Sequence, residues 1–212
     1  MTQNLERKDL VILVADKDIE FAVRGLLSRG PSFGIRLPLF DTYVHPERDP
    51  GCFLKGHDFL RPFYRTYSYA MVMFDCEGSG RENNAREELE RDVEDRLAKS
   101  GWDERAAAIA IDPELENWVW ANSSHVEIAL GWRGRTPGLR EWLVEKGLLE
   151  RLGHKPSRPK QAVEDALRMA RKSRSSALYL HLAQSVTLEG CTDKAFLKFR
   201  QTIINWFASP LL

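Results

Sequence analysis

Acidic residues cluster just where three apolar runs end, and their spacing is what could do chemistry. Asp16 and Asp18 follow LVILV (10–14), Asp75 and Glu77 close and follow YAMVMFD (69–75), and Asp112, Glu114 and Glu116 close and follow AAAIAID (106–112). One acid after a strand often caps the next helix, and acids near a helix start suit its positive end. A second acid two residues on has no place in that account, because a cap takes one side chain. Carboxylates brought together repel one another, so a positive partner is expected among them. A hard divalent ion fits: Mg²⁺, or Mn²⁺ in its place, takes oxygen ligands and leaves positions for water and phosphate. The candidate metal ligands are Asp16, Asp18, Asp75, Glu77, Glu114 and Glu116, with helix capping as the open alternative.

Other chemistries have weaker support. The five histidines show no ligand spacing such as HExxH, and the three cysteines (Cys52, Cys76, Cys191) form no CxxC pair. The turn Gly78-Ser79-Gly80 is too short for a phosphate loop, and GxxxxGK[ST] is absent from the sequence. Trp118 and Trp120 read as core. Phosphate chemistry on nucleic acid would also need cations. The candidates are Lys17, Arg81 and the run ARKSRSS with Arg171, Lys172 and Arg174, whose serines at a helix start suit phosphate.

The elements that must position these acids alternate. LVILV, 35–44, 69–75 and 106–112 read as strands, and helices are expected over 19–30, 54–66 and 81–100, with 45–56 as loop. Pro38 places the start of the second strand at an edge or bulge. Alternation of this kind means βαβ units and a mainly parallel sheet. Right-handed crossovers then bring the strand carboxyl ends, and the acids beyond them, to one edge. After 112 the pattern turns helical: PELENWVWAN, 139–146, 161–171, 175–185 and 193–207, with a basic, proline-interrupted connector at 151–160. This gives an α/β domain over 1–122 and a helical extension over 123–212 packed on it.

With 212 residues and 43% apolar content the chain can bury a sizeable core. Lys+Arg and Asp+Glu balance at 31 each, so net charge advertises neither nucleic acid nor membrane, although 133–174 is locally basic. Scattered cysteines and a polar start with too short an apolar run for a signal peptide lead to an expectation of a reduced, cytoplasmic setting. No apolar stretch reaches the roughly 20 residues of a spanning helix.

Acids after the first strand and Asp-x-Glu-Gly after the third resemble the Toprim family of topoisomerases, primases and related nucleases. The matching segments are VADKDIEFAVRGLL (14–27) and FDCEGSG (74–80). IAIDPELENWVWAN (109–122) is similar to a segment of small Toprim-like bacterial proteins that also carry a helical tail, especially components of methylation-associated anti-phage defence systems. The resemblance implies a four-stranded sheet, a Mg²⁺ site and phosphoryl transfer, with Asp16, Asp75 and Glu77 as catalytic residues and an ATPase as a possible partner. Where the family writes Val-Glu-Gly this sequence has Val14-Ala15-Asp16, so Asp16 must replace the missing glutamate. Glu20 matches a second family acid, within a helix. A metal-dependent nuclease is the first functional expectation, and a non-catalytic scaffold or regulatory subunit of a defence complex is the alternative.

Overall fold

The computed structural model describes residues 7–121, 123–188 and 190–209. The polar start at 1–6 and the domain boundary at Asn122 fall outside them. Four strands, β1 (Lys8–Val14), β2 (Phe40–Val44), β3 (Tyr67–Asp75) and β4 (Ala106–Ile111), form one sheet in the order β2-β1-β3-β4. Every pairing is parallel, as in Leu13 with Tyr43 and Val72, or Asp75 with Ile111. Leu10 to Val14, Ala70 to Phe74 and Ala107 to Ile111 are all buried. Such continuous apolar strands need cover on both faces.

The cover comes from the crossovers. Helix α1 (Lys17–Leu27) links β1 to β2; α2 (Gly30–Phe33) is one turn; α3 (Arg48–Leu60) and α4 (Arg86–Leu97) link β2 to β3 and β3 to β4. The path runs one way from β1 to β2 and the other way from β2 to β4, so right-handed crossovers put α1 opposite α3 and α4. The reversal lies between β1 and β3, which makes the crevice beyond their carboxyl ends the natural ligand position. Asp16 starts α1, its carboxylate accepting from the Ile19 N–H at 2.9 Å, and Ile19, Ala22, Val23, Leu26 and Leu27 form the buried stripe.

The helical part comprises α5 (Glu116–Val119), α6 (Ser124–Ala129), α7 (Leu139–Glu145), α8 (Pro159–Ala170), α9 (Ser176–Ser185) and α10 (Lys194–Phe207). Helix α9 packs on α1 rather than on the sheet, while α10 lies along β4. At that edge the backbone N–H groups of Ala108 and Ala110 donate to Glu94 (2.9 Å) and Glu90 (3.1 Å) of α4. Lys198 of α10 bonds both carboxylates, and Arg86 also holds Glu90. The open row of strand donors is thereby closed by side chains.

Several boundaries differ from the sequence expectation. The strand expected over 35–44 begins at Phe40, past Pro38, which has no N–H for a ladder. The loop expected over 45–56 contains the start of α3: Pro50 falls in the first turn, where its missing N–H costs nothing. Gly51 is glycine for want of space, since a Cβ there would lie 2.1 Å from His45 Nδ1. That helix ends at Leu60 instead of 66, α4 begins at Arg86 instead of 81, and PELENWVWAN supplies the single turn α5. Trp120 is core and Trp118 is half-buried against that core, with the Trp118 indole N–H bonded to Asp193 (2.9 Å) and that of Trp120 to the Pro159 carbonyl (3.1 Å).

Candidate functional site

At the carboxyl edge, Asp75 is the last residue of β3. Its Oδ1 accepts from the Leu115 N–H at 3.0 Å, and its own N–H donates to Asp49 Oδ1 at 2.8 Å. Asp49 sits in the first turn of α3 and Asp16 caps α1. Thus the ends of β1, β2 and β3 each contribute one aspartate whose Oδ1 is fixed by a backbone donor. The Oδ2 atoms of these three receive no hydrogen bond from another described residue.

The electrostatics follow from this placement. Burial, reinforced by the charges of Asp49, Glu116, Asp16 and Glu114, pushes the Asp75 carboxyl well above the ordinary aspartate range. Asp49 is also raised, again mainly by burial and by Asp16, with the Asp75 N–H pulling the other way. Neither carboxylate has a cation bonded to it among the described residues.

The remaining acids of this edge are treated differently. Glu116 Oε1 accepts from Arg174 (2.7 Å) and from the Tyr179 hydroxyl (2.6 Å). Asp18 accepts from Arg174 (2.9 Å) and from the Ser176 hydroxyl (2.6 Å), and Arg174 reaches Glu164 as well (2.9 Å). Glu114 Oε1 takes the Lys160 N–H at 2.9 Å, with Lys160 Nζ 3.6 Å from its other oxygen. Burial raises Glu114 all the same, with the Lys160 N–H opposing. Glu77 is exposed, and with Glu114, Arg158, Lys160 and Glu164 it lines a cavity of about 330 Å³. A second cavity, about 410 Å³, lies by β1 and β2 and is lined by Asp16, Lys17, Asp18, His45 and Arg48 among others. His45 is buried, and its Nδ1 accepts from the Glu47 N–H at 3.0 Å, so the neutral ring carries its proton on Nε2. Burial lowers its pKa.

Of the acids expected from sequence, Asp16, Asp75, Glu114 and Glu116 converge, and Glu77 stands at the rim. Asp18 is turned into the Arg174 ion pair. Asp49 is not among those acids, because the turn residues around it predict loop; the signal for it is an acid shortly after the second strand as well. The expected nucleic-acid cations differ in how far the fold engages them. Arg174 is engaged with three acids, Lys172 donates to the Ala129 carbonyl at 2.5 Å, and Lys17 pairs with Glu20 at 2.5 Å. Arg81 lines a separate surface cavity with Arg96 and Lys99. Glu20 is buried beside Lys17, Arg24 and Thr42 and holds the start of α1 to β2, a structural role.

A divalent cation suits the donor chemistry here: hard carboxylate oxygens, three of them unengaged, in a cluster that mutual repulsion makes costly. The side-chain positions are not closed around such an ion. Among the described residues no three His, Cys, Asp or Glu stand as a group placed to hold a metal. Among these residues also, no helix is long and apolar enough to cross a membrane. A scan against protein-family models and searches of curated proteins and of solved structures find no match to this chain, so its place rests on the fold and on this carboxylate edge.

Proposed function

We propose that this chain is a divalent-cation-dependent phosphoryl-transfer protein, in its simplest form a nuclease, with Asp16, Asp49 and Asp75 as the cation-holding carboxylates. The observation that carries this reading is Asp75. It is a half-buried carboxyl at the β1/β3 reversal, raised by its surroundings and by four neighbouring acids, with no cation among the described residues bonded to it. The Toprim resemblance points the same way, and Asp49 supplies a carboxylate where Ala15 cannot.

When bound, Mg²⁺ or Mn²⁺ would neutralise a phosphodiester and polarise it toward attack. The chain's own groups do the rest. The N–H of Leu115 orients Asp75, the N–H of Asp75 orients Asp49, and the helix cap orients Asp16. Glu77, exposed at the neighbouring cavity, is free to accept a proton from water, and Lys160 offers a positive charge on the same wall. The test is metal-dependent nicking of plasmid, lost in Asp75→Asn, together with a Mn²⁺ anomalous-scattering peak between Asp16, Asp49 and Asp75. Protein that neither nicks nor shows the peak would sink the proposal.

A second reading is a non-catalytic subunit of a cytoplasmic defence complex, for example one docking on an ATPase. Arg174 favours it, because the chain already places its own cation between Asp18 and Glu116. Thermal stabilisation by Mn²⁺ without any turnover would decide for this reading.

A further inference from the structure

Beyond the carboxylate edge, α7 and α8 frame an open groove of about 500 Å³. Its walls carry Lys146, Arg158, Arg168 and Arg171 against the single acid Asp165, over a floor that includes Trp142. The whole chain has zero net charge, so this imbalance is local. Arg168 pairs with Asp165 at 2.8 Å, whereas the side chains of Lys146, Arg158 and Arg171 bond to no other described residue. Exposed cations with no acid to answer them make a positive field awaiting an anion.

One further feature belongs to the same groove. Arg171 ends α8 at φ 55°, a left-handed conformation that glycine adopts without strain. A charged side chain is kept where the backbone would favour none.

We infer that this groove binds the phosphate backbone of nucleic acid and leads it to the carboxylate edge. Arg158 and Gln161 line both the groove and the cavity of Glu77 and Glu114, so the two spaces adjoin. A strand lying along Lys146, Arg171 and Arg158 would reach the acids with its phosphates neutralised. The basic stretch visible in the sequence is thus used through α7, the 151–160 connector and the end of α8, not through Lys172 or Arg174. The role assigned to the groove rests on the phosphoryl-transfer reading; its test does not.

The experiment is fluorescence anisotropy of labelled single-stranded and duplex oligonucleotides with the intact chain in EDTA, at several salt concentrations. Binding should weaken steeply with salt, and Arg158→Gln should flatten the log–log slope by about 1, as for one lost phosphate contact. Joint reversal of Lys146, Arg158 and Arg171 to Glu should weaken binding by at least about tenfold, the scale of one charge-assisted contact. Arg171→Gly guards against misfolding: it removes the charge while easing the backbone, so it should melt no lower than wild type yet bind less tightly. The inference is overturned if wild type binds neither oligonucleotide, if the variants bind with unchanged slope, or if poly-glutamate displaces the label as well as unlabelled DNA does. Loss of nicking with metal-free binding intact would remove the enzyme reading and leave the groove standing.

Discussion

The acids at the carboxyl edge of the sheet fall into two halves built from the same kind of residue and finished in opposite ways. In one, Glu116 and Asp18 are answered by Arg174, Tyr179 and Ser176, and Glu114 by Lys160. In the other, Asp16, Asp49 and Asp75, set at or beyond the ends of β1, β2 and β3, have one backbone donor each and no bonded cation among the described residues. Glu20 sharpens the contrast. Burial pushes its carboxyl up, yet bonds from Lys17, Thr42 and Arg24 leave it below the ordinary value. Asp75, equally a carboxyl within the fold, ends raised. Burial alone therefore does not set the direction in which these carboxyls shift; the presence or absence of a bonded internal cation does.

The largest expected effect comes from removing the compensation. Arg174→Ala leaves Asp18 without its bonded cation and Glu116, one of the charges acting on Asp75, with only the more distant Lys160. Breaking a buried pair costs about 3–5 kcal/mol. The Arg174 side chain is 31% exposed, which reduces the expected loss to roughly 2–3 kcal/mol. Urea unfolding at neutral pH measures it, and a loss below about 0.5 kcal/mol, typical of a surface substitution, would mean the two halves do not differ as described. If Mn²⁺ restores the lost stability, the cation and Arg174 occupy equivalent roles.

Next in size is Asp75→Asn, which keeps the shape and the acceptor for Leu115 N–H but removes the charge. The folded carboxyl titrates above the ordinary aspartate range, so the folded chain binds more protons than the unfolded one over that window. Stability from this group is therefore full at acid pH and lost as pH rises through the raised value. The Asn variant should be more stable than wild type near neutral pH, with the gap closing as pH falls toward the ordinary carboxylate range. Melting curves across pH test the sign. A variant less stable than wild type at every pH would show that Asp75 is a structural acid like Glu20. Mn²⁺ should raise the melting temperature of wild type and leave the variant unmoved.

Much of this edge was legible in the sequence because strands announce themselves. Continuous runs such as LVILV and AMVMF require a doubly covered parallel sheet, and the sheet brings Asp16, Asp75, Glu114 and Glu116 to one side by topology alone. What could not be read was pairing. Nothing in ARKSRSS says that Arg174 folds back over Asp18, 156 residues away, while Arg171 stays in solvent beside α8. Asp49 was hidden for another reason: ERDPG carries turn residues, yet Pro50 and Gly51 sit inside the first turn of α3. Local composition gave the loop, and packing of Gly51 against His45 gave the helix.

The smallest effect concerns Arg48, which stands at φ 52° where the chain enters α3 and lines the cavity of Asp16 and His45. A left-handed backbone costs an L-residue about 1–2 kcal/mol, and glycine relieves it while adding some unfolded-state entropy. Arg48→Gly should therefore stabilise the fold by about 0.5–1 kcal/mol, seen as a higher urea midpoint with unchanged slope. The Arg48 guanidinium shares that cavity with Asp16, so the same substitution also removes a positive charge from the cavity wall. Reduced nicking in a more stable Arg48→Gly protein would place the cavity in the working half of the edge. Unchanged nicking would confine the chemistry to the side of Glu77 and Glu114, and the contrast between the two halves would then mark stability alone.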